Sequence, residues 1–311
     1  MPRQCLRVAR VAKQDEFYTQ FCDIEKELIN YEDFFRGKTV YCNCDDYRFS
    51  NFVLYFKTVF NRVGLKKLVA TNYDIGEGAW KYEYDWESEK IEKLDGDGSF
   101  DSTECVELLD ESDVIVTNPP FSKFKQYMKQ LIEHNKSFLI IGNQNAVTYK
   151  DIFPYIRDNK IWFGVSIHGS SREFMVHSSY VTRSERLRID EDGNRYVKIG
   201  GVRWFTNIKN KNRNTPLILS KTYNPEDYPK YDNYDAIDVS RTCDIPKDYD
   251  GIMGVPITFL DKYCPYQFEI IDINPHFYSI VQNGLQKPRQ LTLHNVGKKD
   301  PYARLLIRKK E

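Results

Sequence analysis

Short apolar runs and longer amphipathic stretches alternate along the first half of the chain. The short runs predict buried strands, and apolar residues three or four positions apart predict helices. The predicted strands cover residues 38–44, 65–71, 113–117 and 137–141, and the predicted helices cover residues 23–35, 51–63, 102–109, 122–134 and 148–159. Strands that alternate with helices indicate an α/β fold whose parallel, doubly wound sheet carries helices on both faces.

The pattern changes after Ile161. Strand-like pieces at residues 161–167 and 201–208 flank a polar stretch rich in arginine, and from Ser220 onward the chain has few periodic runs. We therefore predict two regions, a cofactor-binding and catalytic core at residues 1–165 and a second region at residues 166–311. The second region would hold the remaining core strands, insertions for substrate recognition and the C-terminal part.

The charge of the chain is balanced in total but uneven along its length. Lys and Arg number 45, as do Asp and Glu, and this neutral total argues against a non-specific nucleic-acid coat protein. Residues 74–113 hold fifteen acidic side chains against three lysines, whereas residues 161–213 hold ten basic side chains against five acidic ones. One surface should therefore repel phosphate and another should attract it.

Cysteine usage and hydropathy indicate in which cellular compartment the protein is expected. The seven cysteines include no C-x-x-C pair and no Cys/His cluster with metal-ligand spacing, so we expect reduced cysteines and no metal site. No apolar run approaches the ~20 residues that span a bilayer, and the basic N-terminus lacks an apolar signal core. We expect a cytoplasmic protein with no membrane partner.

The most specific pattern is D-V-I-V-T-N-P-P-F at residues 113–121. An apolar strand delivers Asn118 at its carboxyl end, where open α/β sheets bind ligands, and Pro119 and Pro120 hold the next residues extended. The Asn118 side-chain oxygen and the Pro119 carbonyl oxygen can accept from a planar exocyclic amine, and Phe121 can stack on its ring. This favours methylation of such an amine, chiefly by positioning and electrostatics. The alternative is an ordinary strand exit.

The turn after the first strand is a candidate cofactor site, because the first strand-to-helix turn usually has this role in doubly wound sheets. It contains Asp45 and Asp46, then Ser50 and Asn51 at the helix start. A carboxylate can bind an ammonium group, and Ser50 with the helix N-terminus can bind a carboxylate. No glycine-rich turn is present, and a buried, Asp-capped turn is the structural alternative.

Two further segments carry suitable side chains. Residues 15–19 read D-E-F-Y-T, which in isolation is also compatible with a helix start that packs an aromatic ring on the core. Residues 95–100 read D-G-D-G-S-F, so that Asp97 can accept from an adenine amine and Phe100 can cover its ring. A solvated turn is the alternative for the second segment.

Taken in this order, the four segments resemble the layout of amino-methyltransferases, with F-Y-T, a cofactor turn, an acidic turn and N-P-P-F preceding the target-recognition part. More closely, the chain resembles the EcoRI-type DNA adenine methyltransferases, which share the absence of a glycine-rich cofactor turn. The likeness covers residues 15–19, 40–52, 96–121, 200–207, 234–268 and 302–308.

The resemblance implies a Rossmann-like sheet and N6-methylation of adenine, by S-adenosylmethionine, within a short duplex DNA sequence. The target base would leave the duplex. The implied partners are duplex DNA and a cognate restriction endonuclease, and the protein is expected to be monomeric. The implied cofactor-binding residues are Tyr18, Thr19, Asp45, Asp46, Ser50, Asn51, Asp97 and Phe100, and the implied catalytic residues are Asn118, Pro119, Pro120 and Phe121.

The arginine-rich stretch is the candidate DNA surface. Arginines among small polar residues are suited to phosphate and base-edge contacts, although a solvated hairpin of mixed charge is the alternative. The candidate DNA-binding residues are Arg172, Arg183, Arg186, Arg188 and Arg203.

Two other classes of function remain open at this point. A methyltransferase that acts on rRNA or on a protein glutamine uses the same Asn-Pro-Pro-aromatic chemistry, but such enzymes usually have the glycine-rich turn that is absent here. A non-enzymatic DNA-binding module would need neither Asn118 to Phe121 nor a cofactor turn. Binding of S-adenosylmethionine separates the enzyme classes from the module.

Overall fold

The computed structural model describes residues 17–74, 76, 78–168, 171–176, 180, 187–210, 213–274, 291, 293 and 303–310. The chain divides into two units, which are not separated by a single cut. Unit 1 comprises residues 1–143 and 164–210, and unit 2 comprises residues 144–163 and 211–311.

Strands supply most of the regular structure. They are β1 (Thr39–Cys42), β2 (Lys67–Thr71), β3 (Trp80–Tyr84), β4 (Glu89–Lys93), β5 (Val114–Thr117), β6 (Ser137–Asn143), β7 (Trp162–Phe163), β8 (Arg172–Val176), β9 (Leu187–Ile189), β10 (Arg195–Ile199), β11 (Val202–Thr206), β12 (Ile237–Asp238), β13 (Met253–Pro256), β14 (Phe268–Asn274) and β15 (Arg304–Lys309).

The helices are short, and several continue from 3-10 turns. They are α1 (Phe21–Leu28), α2 (Glu32–Phe35), α3 (Asn51–Val63), α4 (Thr103–Glu111), α5 (Phe124–Glu133) and α6 (Phe153–Arg157). The predicted helix at residues 51–63 is confirmed with both of its ends. Ser50 caps it by accepting from the Phe52 and Val53 amides, and Gly64 ends it with φ +66°.

The main sheet of unit 1 is mixed. Its strands follow the order β4-β3-β2-β1-β5-β6-β11, in which β2, β1, β5 and β6 are parallel. The β3–β4 hairpin and β11 run antiparallel to their neighbours. The α/β class is therefore confirmed, and the predicted parallel arrangement holds for four strands of a sheet that is mixed. A hairpin needs only a short turn, and an antiparallel strand needs no crossover helix.

Alternate residues of the parallel strands point to opposite faces of this sheet. One set, which includes Val40, Leu68 and Val116, lies in a single apolar cluster with residues of α1 and α3. On the other face, Phe205 of β11 packs against Phe124 of α5, with ring centroids 5.2 Å apart. Helices thus cover both faces, and the polar residues that end the parallel strands lie at one edge.

Three predicted elements differ from the structure. The helix at residues 23–35 is interrupted by a 3-10 turn at Ile29–Tyr31, and only Phe153–Arg157 of the helix at residues 148–159 is α-helical. The strand at residues 161–167 is reduced to Trp162–Phe163, because the chain turns at Gly164. There the buried carboxylate of Glu27 accepts from the Val165 amide at 2.8 Å and from the Ser166 amide at 2.6 Å.

The arginine-rich stretch forms a second sheet in unit 1, a three-stranded antiparallel sheet in the order β8-β10-β9. Phe174, Val176 and Val197 lie on its buried face. The F-Y-T segment joins this sheet, because Tyr18 and Met175 exchange backbone hydrogen bonds of 2.9 and 3.1 Å.

Unit 2 contains a four-stranded sheet in the order β12-β13-β15-β14. A buried polar group stabilises it from within. The Asp238 carboxylate accepts from the Tyr231 hydroxyl at 2.5 Å and from Arg304 Nε at 2.9 Å. Gly254 leaves the space that the Tyr231 hydroxyl needs, since a Cβ at this position would collide with it.

Two further observations concern the described residues alone. Within them, no helix is long and apolar enough to cross a membrane, and no group of three or more His, Cys, Asp or Glu side chains is placed to hold a metal ion. The cysteines found there are free, and three of them, Cys42, Cys105 and Cys264, are buried.

Candidate active site

Polar residues follow the parallel strands at the carboxyl edge of the main sheet. Asp45 comes three residues after β1, Asn72 follows β2, and Asn118 follows β5. Backbone and side-chain hydrogen bonds draw these strand ends together. The Asp45 amide donates to the Thr71 carbonyl at 2.9 Å, and the hydroxyl of Thr117, the last residue of β5, donates to Asp45 Oδ2 at 2.5 Å.

Asp45 lies between the cofactor turn and the strand that delivers Asn118. Its second oxygen, Oδ1, accepts from the Ser50 hydroxyl at 2.7 Å, so one carboxyl group joins the N-terminus of α3 to β5. Burial raises the pKa of this carboxyl to about 6, against the lowering effect of the bonds from Thr117 and Ser50. A carboxyl so placed changes its charge close to neutral pH.

Asp46 differs from its neighbour in its hydrogen-bond partners. Its carboxylate is paired with Arg48, which donates from Nε at 2.9 Å and from Nη2 at 2.6 Å. This contact spans two residues at the surface, so it organises the turn locally. Of the two carboxylates predicted for the cofactor turn, Asp45 is the one that reaches β5, the strand before Asn118.

The Asn118 side chain forms hydrogen bonds through its nitrogen, whereas its oxygen accepts none within the described residues. Nδ2 donates to the Phe17 carbonyl at 2.7 Å and to Thr19 Oγ1 at 3.3 Å. Oδ1 is buried and has no hydrogen-bond partner among the described residues. Leaving a buried acceptor unpaired costs roughly 1–3 kcal/mol, so this oxygen marks a position where a donor would be bound strongly.

The F-Y-T segment lies against both the predicted cofactor turn and the predicted catalytic tetrapeptide. Thr19, which is buried, accepts from Asn118 through its hydroxyl and from Asn51 Nδ2 through its carbonyl at 2.8 Å. The structure therefore brings together five of the predicted residues, from three separate stretches of sequence: Thr19, Asp45, Ser50, Asn51 and Asn118.

The end of the tetrapeptide is rigid and aromatic. Pro119 is buried and Pro120 is extended, with φ −53° and ψ 123°. Phe121 then begins a 3-10 turn, is partly exposed, and packs on the ring of Phe17 with centroids 5.4 Å apart. The two prolines thus separate the buried Asn118 amide oxygen from a partly exposed aromatic ring.

The acidic turn lies beside this end of the site, but its residues are not equally open. Asp97 is exposed and accepts from the Ser99 amide at 2.9 Å. Phe100 is buried against Tyr127, with ring centroids 5.0 Å apart, which leaves little of its ring for a ligand. Lys123, two residues after Phe121, lies 5.1 Å from the Phe100 ring and donates to Ser99 Oγ at 3.4 Å.

The predicted DNA-binding arginines lie in different surroundings. Arg188 is exposed, pairs with Glu173 at 3.0 Å, and lies over the Tyr196 ring at 4.2 Å. Arg172 is half-buried at the start of β8, and its Nε has no hydrogen-bond partner in the part of the chain that the structure describes. Arg183 and Arg186 lie outside the described residues.

Arg203 requires a correction. It is fully buried, because all five residues of β11 are inside the protein, and its Nη1 donates to the Val202 carbonyl at 3.2 Å. A side chain in this position offers no surface to DNA, so we remove Arg203 from the candidate DNA-binding residues.

Sequence reasoning missed two residues that belong to the site. Thr117 bonds to Asp45, and Phe17 contacts both ends of the tetrapeptide, through its carbonyl at Asn118 and its ring at Phe121. A hydroxyl directly before the strand-end Asn118 was a signal for Thr117. No local signal pointed to Phe17, because its contacts are a hundred residues away.

A buried amide oxygen that accepts no hydrogen bond within the described residues, at the carboxyl edge of an α/β sheet and followed by a rigid proline pair and an aromatic ring, is the arrangement that suits methylation of a planar amine. The described residues contain the acceptor, the aromatic ring and a nearby carboxyl group that can bind a cationic cofactor. The fold and the site therefore define an amine methyltransferase.

Comparison with known proteins shows to which family of methyltransferases the chain belongs. The family model described as adenine-specific methyltransferase EcoRI matches residues 5–310. The chain belongs to this family. It is 44% identical over 325 residues to the type II methyltransferase M.EcoRI of Escherichia coli, covering 98% of this chain and 96% of that protein.

Two further relatives come from mycoplasmas. The type II methyltransferase M.MgeORF184P of Mycoplasma genitalium is 39% identical, over 97% of this chain and 98% of its own. The type II methyltransferase M.MpnI of Mycoplasma pneumoniae is 39% identical, over 97% of both chains. No solved structure is significantly similar to the chain.

Proposed function

We propose that this protein transfers the methyl group of S-adenosylmethionine to the N6 amine of adenine at a specific site in duplex DNA, as the modification enzyme of a restriction-modification system. The observation that carries the proposal is the buried, unpartnered Oδ1 of Asn118 beside Pro119. Membership in an adenine-specific family, and relatives that are named type II methyltransferases, support it.

The residues at the sheet edge suit the proposed cofactor. Asp45 has two oxygens that each accept one hydroxyl, and a carboxylate oxygen has a second lone pair with which to bind an ammonium group. The first turn of α3 holds no acidic residue, which suits a carboxylate at its N-terminus. S-adenosylmethionine would supply a methyl group on a sulfonium, held by Asp45, Ser50 and the F-Y-T segment, with Asp46, Asn51 and Asp97 nearby.

The tetrapeptide would hold the target amine. Asn118 Oδ1 and the Pro119 carbonyl accept its two N–H groups, which draws the nitrogen lone pair out of the ring plane and directs it at the methyl carbon. Phe121 stacks on the base. These groups would stabilise the positive charge and the tetrahedral geometry that develop at the nitrogen as the N–C bond forms and the C–S bond to the methyl group breaks. The methylated nitrogen then loses one proton to solvent, so the tetrapeptide supplies no general base.

The DNA surface is proposed to include the three-stranded sheet, with Arg172 and Arg188, and the adjoining Arg183 and Arg186. Arg188 is exposed, and its partner Glu173 is held only by surface contacts that phosphate can replace. We also propose that residues 166–311 contain the target-recognition part, that residues 1–165 form a Rossmann-like core, and that the protein acts as a monomer beside a cognate endonuclease.

The experiment is single-molecule sequencing of genomic DNA from a host without adenine methyltransferases of its own. Expression of the protein should produce N6-methyladenine at one short recurring sequence, and expression of Asn118→Ala should not. Genomic DNA without modified adenine would overturn the proposal. Methyl transfer from labelled cofactor to rRNA or to a protein glutamine instead would identify one of the other substrate classes.

A further inference from the structure

We propose that Phe17 and Thr19 are positioning residues for methyl transfer, which orient the Asn118 amide so that its oxygen faces the target amine. This inference rests on the proposed function and deepens it. The sequence suggested only a role in cofactor binding for Thr19, and none for Phe17.

The two hydrogen bonds to Asn118 determine which way its amide points. The Phe17 carbonyl is an acceptor only, so the group 2.7 Å away must be the NH2 end of the amide. Thr19 Oγ1 accepts from the same nitrogen at 3.3 Å. With the nitrogen directed at the F-Y-T segment, Oδ1 is the end left without a partner.

A reversed amide would be unfavourable in this setting. Rotation by 180° would place Asn118 Oδ1 against the Phe17 carbonyl oxygen, so two acceptors would face each other in a buried position. The NH2 group would then occupy the place of the open acceptor, where it would repel the N–H groups of an exocyclic amine. Orientation of the amide is therefore a condition for binding the amine, and not a detail of packing.

The segment that supplies these acceptors is itself held from three sides. The Thr19 carbonyl accepts from Asn51 at the start of α3, and Tyr18 is paired with Met175 of β8. The Phe17 ring packs on Phe121 at 5.4 Å and on Phe174 at 5.8 Å. A segment that is fixed in this way can determine the orientation of the Asn118 amide. A mobile segment would instead adjust to the amide.

A positioning role and a cofactor-binding role predict different defects. If Thr19 acts through Asn118, loss of its hydroxyl lowers the rate of the chemical step while the cofactor still binds. If Thr19 serves the cofactor alone, the same change weakens cofactor binding and spares the rate at saturating cofactor. Thr19→Val removes the hydroxyl at nearly constant volume, and Thr19→Ser keeps it.

The test measures single-turnover methyl transfer to duplex DNA carrying the target sequence, together with the Kd for S-adenosylmethionine and the Tm. We expect Thr19→Val to lower the rate about tenfold, with the Kd changed by less than about threefold, and Thr19→Ser to recover most of the rate. A retained Kd shows that the variant is folded. A wild-type rate for Thr19→Val, a defect confined to the Kd, or no recovery with Thr19→Ser would overturn the inference.

The same change in an Asn118→Ala background adds a second criterion. Alanine has no amide for Thr19 to orient, so Thr19→Val should have no further effect on the residual rate of that variant. A full tenfold reduction in that background would show that Thr19 acts elsewhere and would overturn the inference. The two proposals fail separately, because a wild-type protein that methylates no adenine defeats the proposed function, whereas an active wild type with an equally active Thr19→Val defeats only the positioning role.

Discussion

The carboxyl edge of the main sheet and the three-stranded sheet beside it both carry polar side chains predicted to be functional, but they hold them in different ways. At the edge, the bonds are partly buried and long-range: Thr117 bonds to Asp45 across 72 residues of sequence, and Asn118 to Phe17 across 101. On the three-stranded sheet, Arg188 is exposed and pairs with Glu173, only 15 residues away.

This difference corresponds to two kinds of task. Buried hydrogen bonds in a low-dielectric site hold a geometry that does not relax when the substrate arrives, which is what catalysis of an in-line transfer needs. An exposed ion pair contributes roughly 0–1 kcal/mol to stability, so its partners can separate and bind phosphate at little cost. Changes at the edge should therefore alter rates sharply, and changes on the three-stranded sheet should alter DNA affinity by degrees.

The largest effect is expected from Asn118→Ala. It removes an acceptor used in the transition state, worth on the order of 3 kcal/mol or more, so methyl transfer should fall by at least about a hundredfold while cofactor affinity changes only a few-fold. Single-turnover assays and calorimetry measure the two quantities. Asn61→Ala, on the exposed side of α3, is the matched control and should behave as wild type. Near-normal turnover of Asn118→Ala would remove this residue from the catalytic site.

Phe121→Ala should have the next largest effect. Stacking of a base on an aromatic ring contributes about 1–3 kcal/mol, which partly offsets the few kcal/mol that extrusion of a base costs. The variant should capture the flipped adenine less well and turn over more slowly, and Phe121→Tyr should restore both. Fluorescence of 2-aminopurine at the target position reports extrusion. The role of Phe121 must be dropped if wild-type enzyme gives no change specific to that position, or if Phe121→Ala methylates at the wild-type rate.

Asp45 should give a pH-dependent effect. Its pKa of about 6 means that the free protein loses the negative charge as pH falls below that value. An ammonium group favours the ionised carboxyl, so cofactor affinity should rise about tenfold between pH 5 and pH 7. Asp45→Asn should bind more than ~tenfold more weakly at pH 7.5, about 1.4 kcal/mol, and should lose the pH dependence.

The same pKa has the opposite consequence for stability. Because the folded-state pKa lies above the ordinary 3.8, the folded protein binds the proton more tightly, and the contribution of Asp45 to the free energy of unfolding falls as pH rises through this interval. Asp45→Asn should remove that decline in denaturant unfolding measured from about pH 4 to pH 7. Asp46→Ala is the comparison variant, since Asp46 pairs only with Arg48 at the surface. Affinity that is flat with pH in wild type would contradict the assignment of Asp45.

The smallest effects belong to the three-stranded sheet. Neutralising Arg188 should make the slope of log affinity against log salt concentration shallower by about 0.9 for each phosphate that the variant no longer neutralises. Joint neutralisation of Arg183 and Arg186 should make this slope shallower still. Glu173→Gln should do the reverse and tighten DNA binding a few-fold, because it frees Arg188 from its partner. An unchanged salt slope in the arginine variants would place the DNA surface elsewhere.

Much of the fold near the site could be predicted from local patterns. The helix at 51–63 follows to the residue from Ser50 and Gly64, which are strong end signals, and β5 before Asn118 follows from its apolar run. The arginine-rich stretch was harder. Its charges are visible in the sequence, but pairing of β8 with β10 and burial of β11 depend on partners far away, and so Arg203 was misplaced.

The sequence by itself determined the chemistry of this protein, because the order of residue types at 113–121 needs only a strand, two rigid prolines and a ring to be meaningful. It did not determine which atoms of that motif are open. Only the tertiary structure decided that Asn118 points its nitrogen at Phe17 and Thr19, that Asp45 rather than Asp46 reaches β5, and that Phe100 is buried. The physical reason is that the direction and the burial of a side chain depend on contacts between segments that lie 72 to 101 residues apart in the sequence. Local propensity carries no information about such contacts.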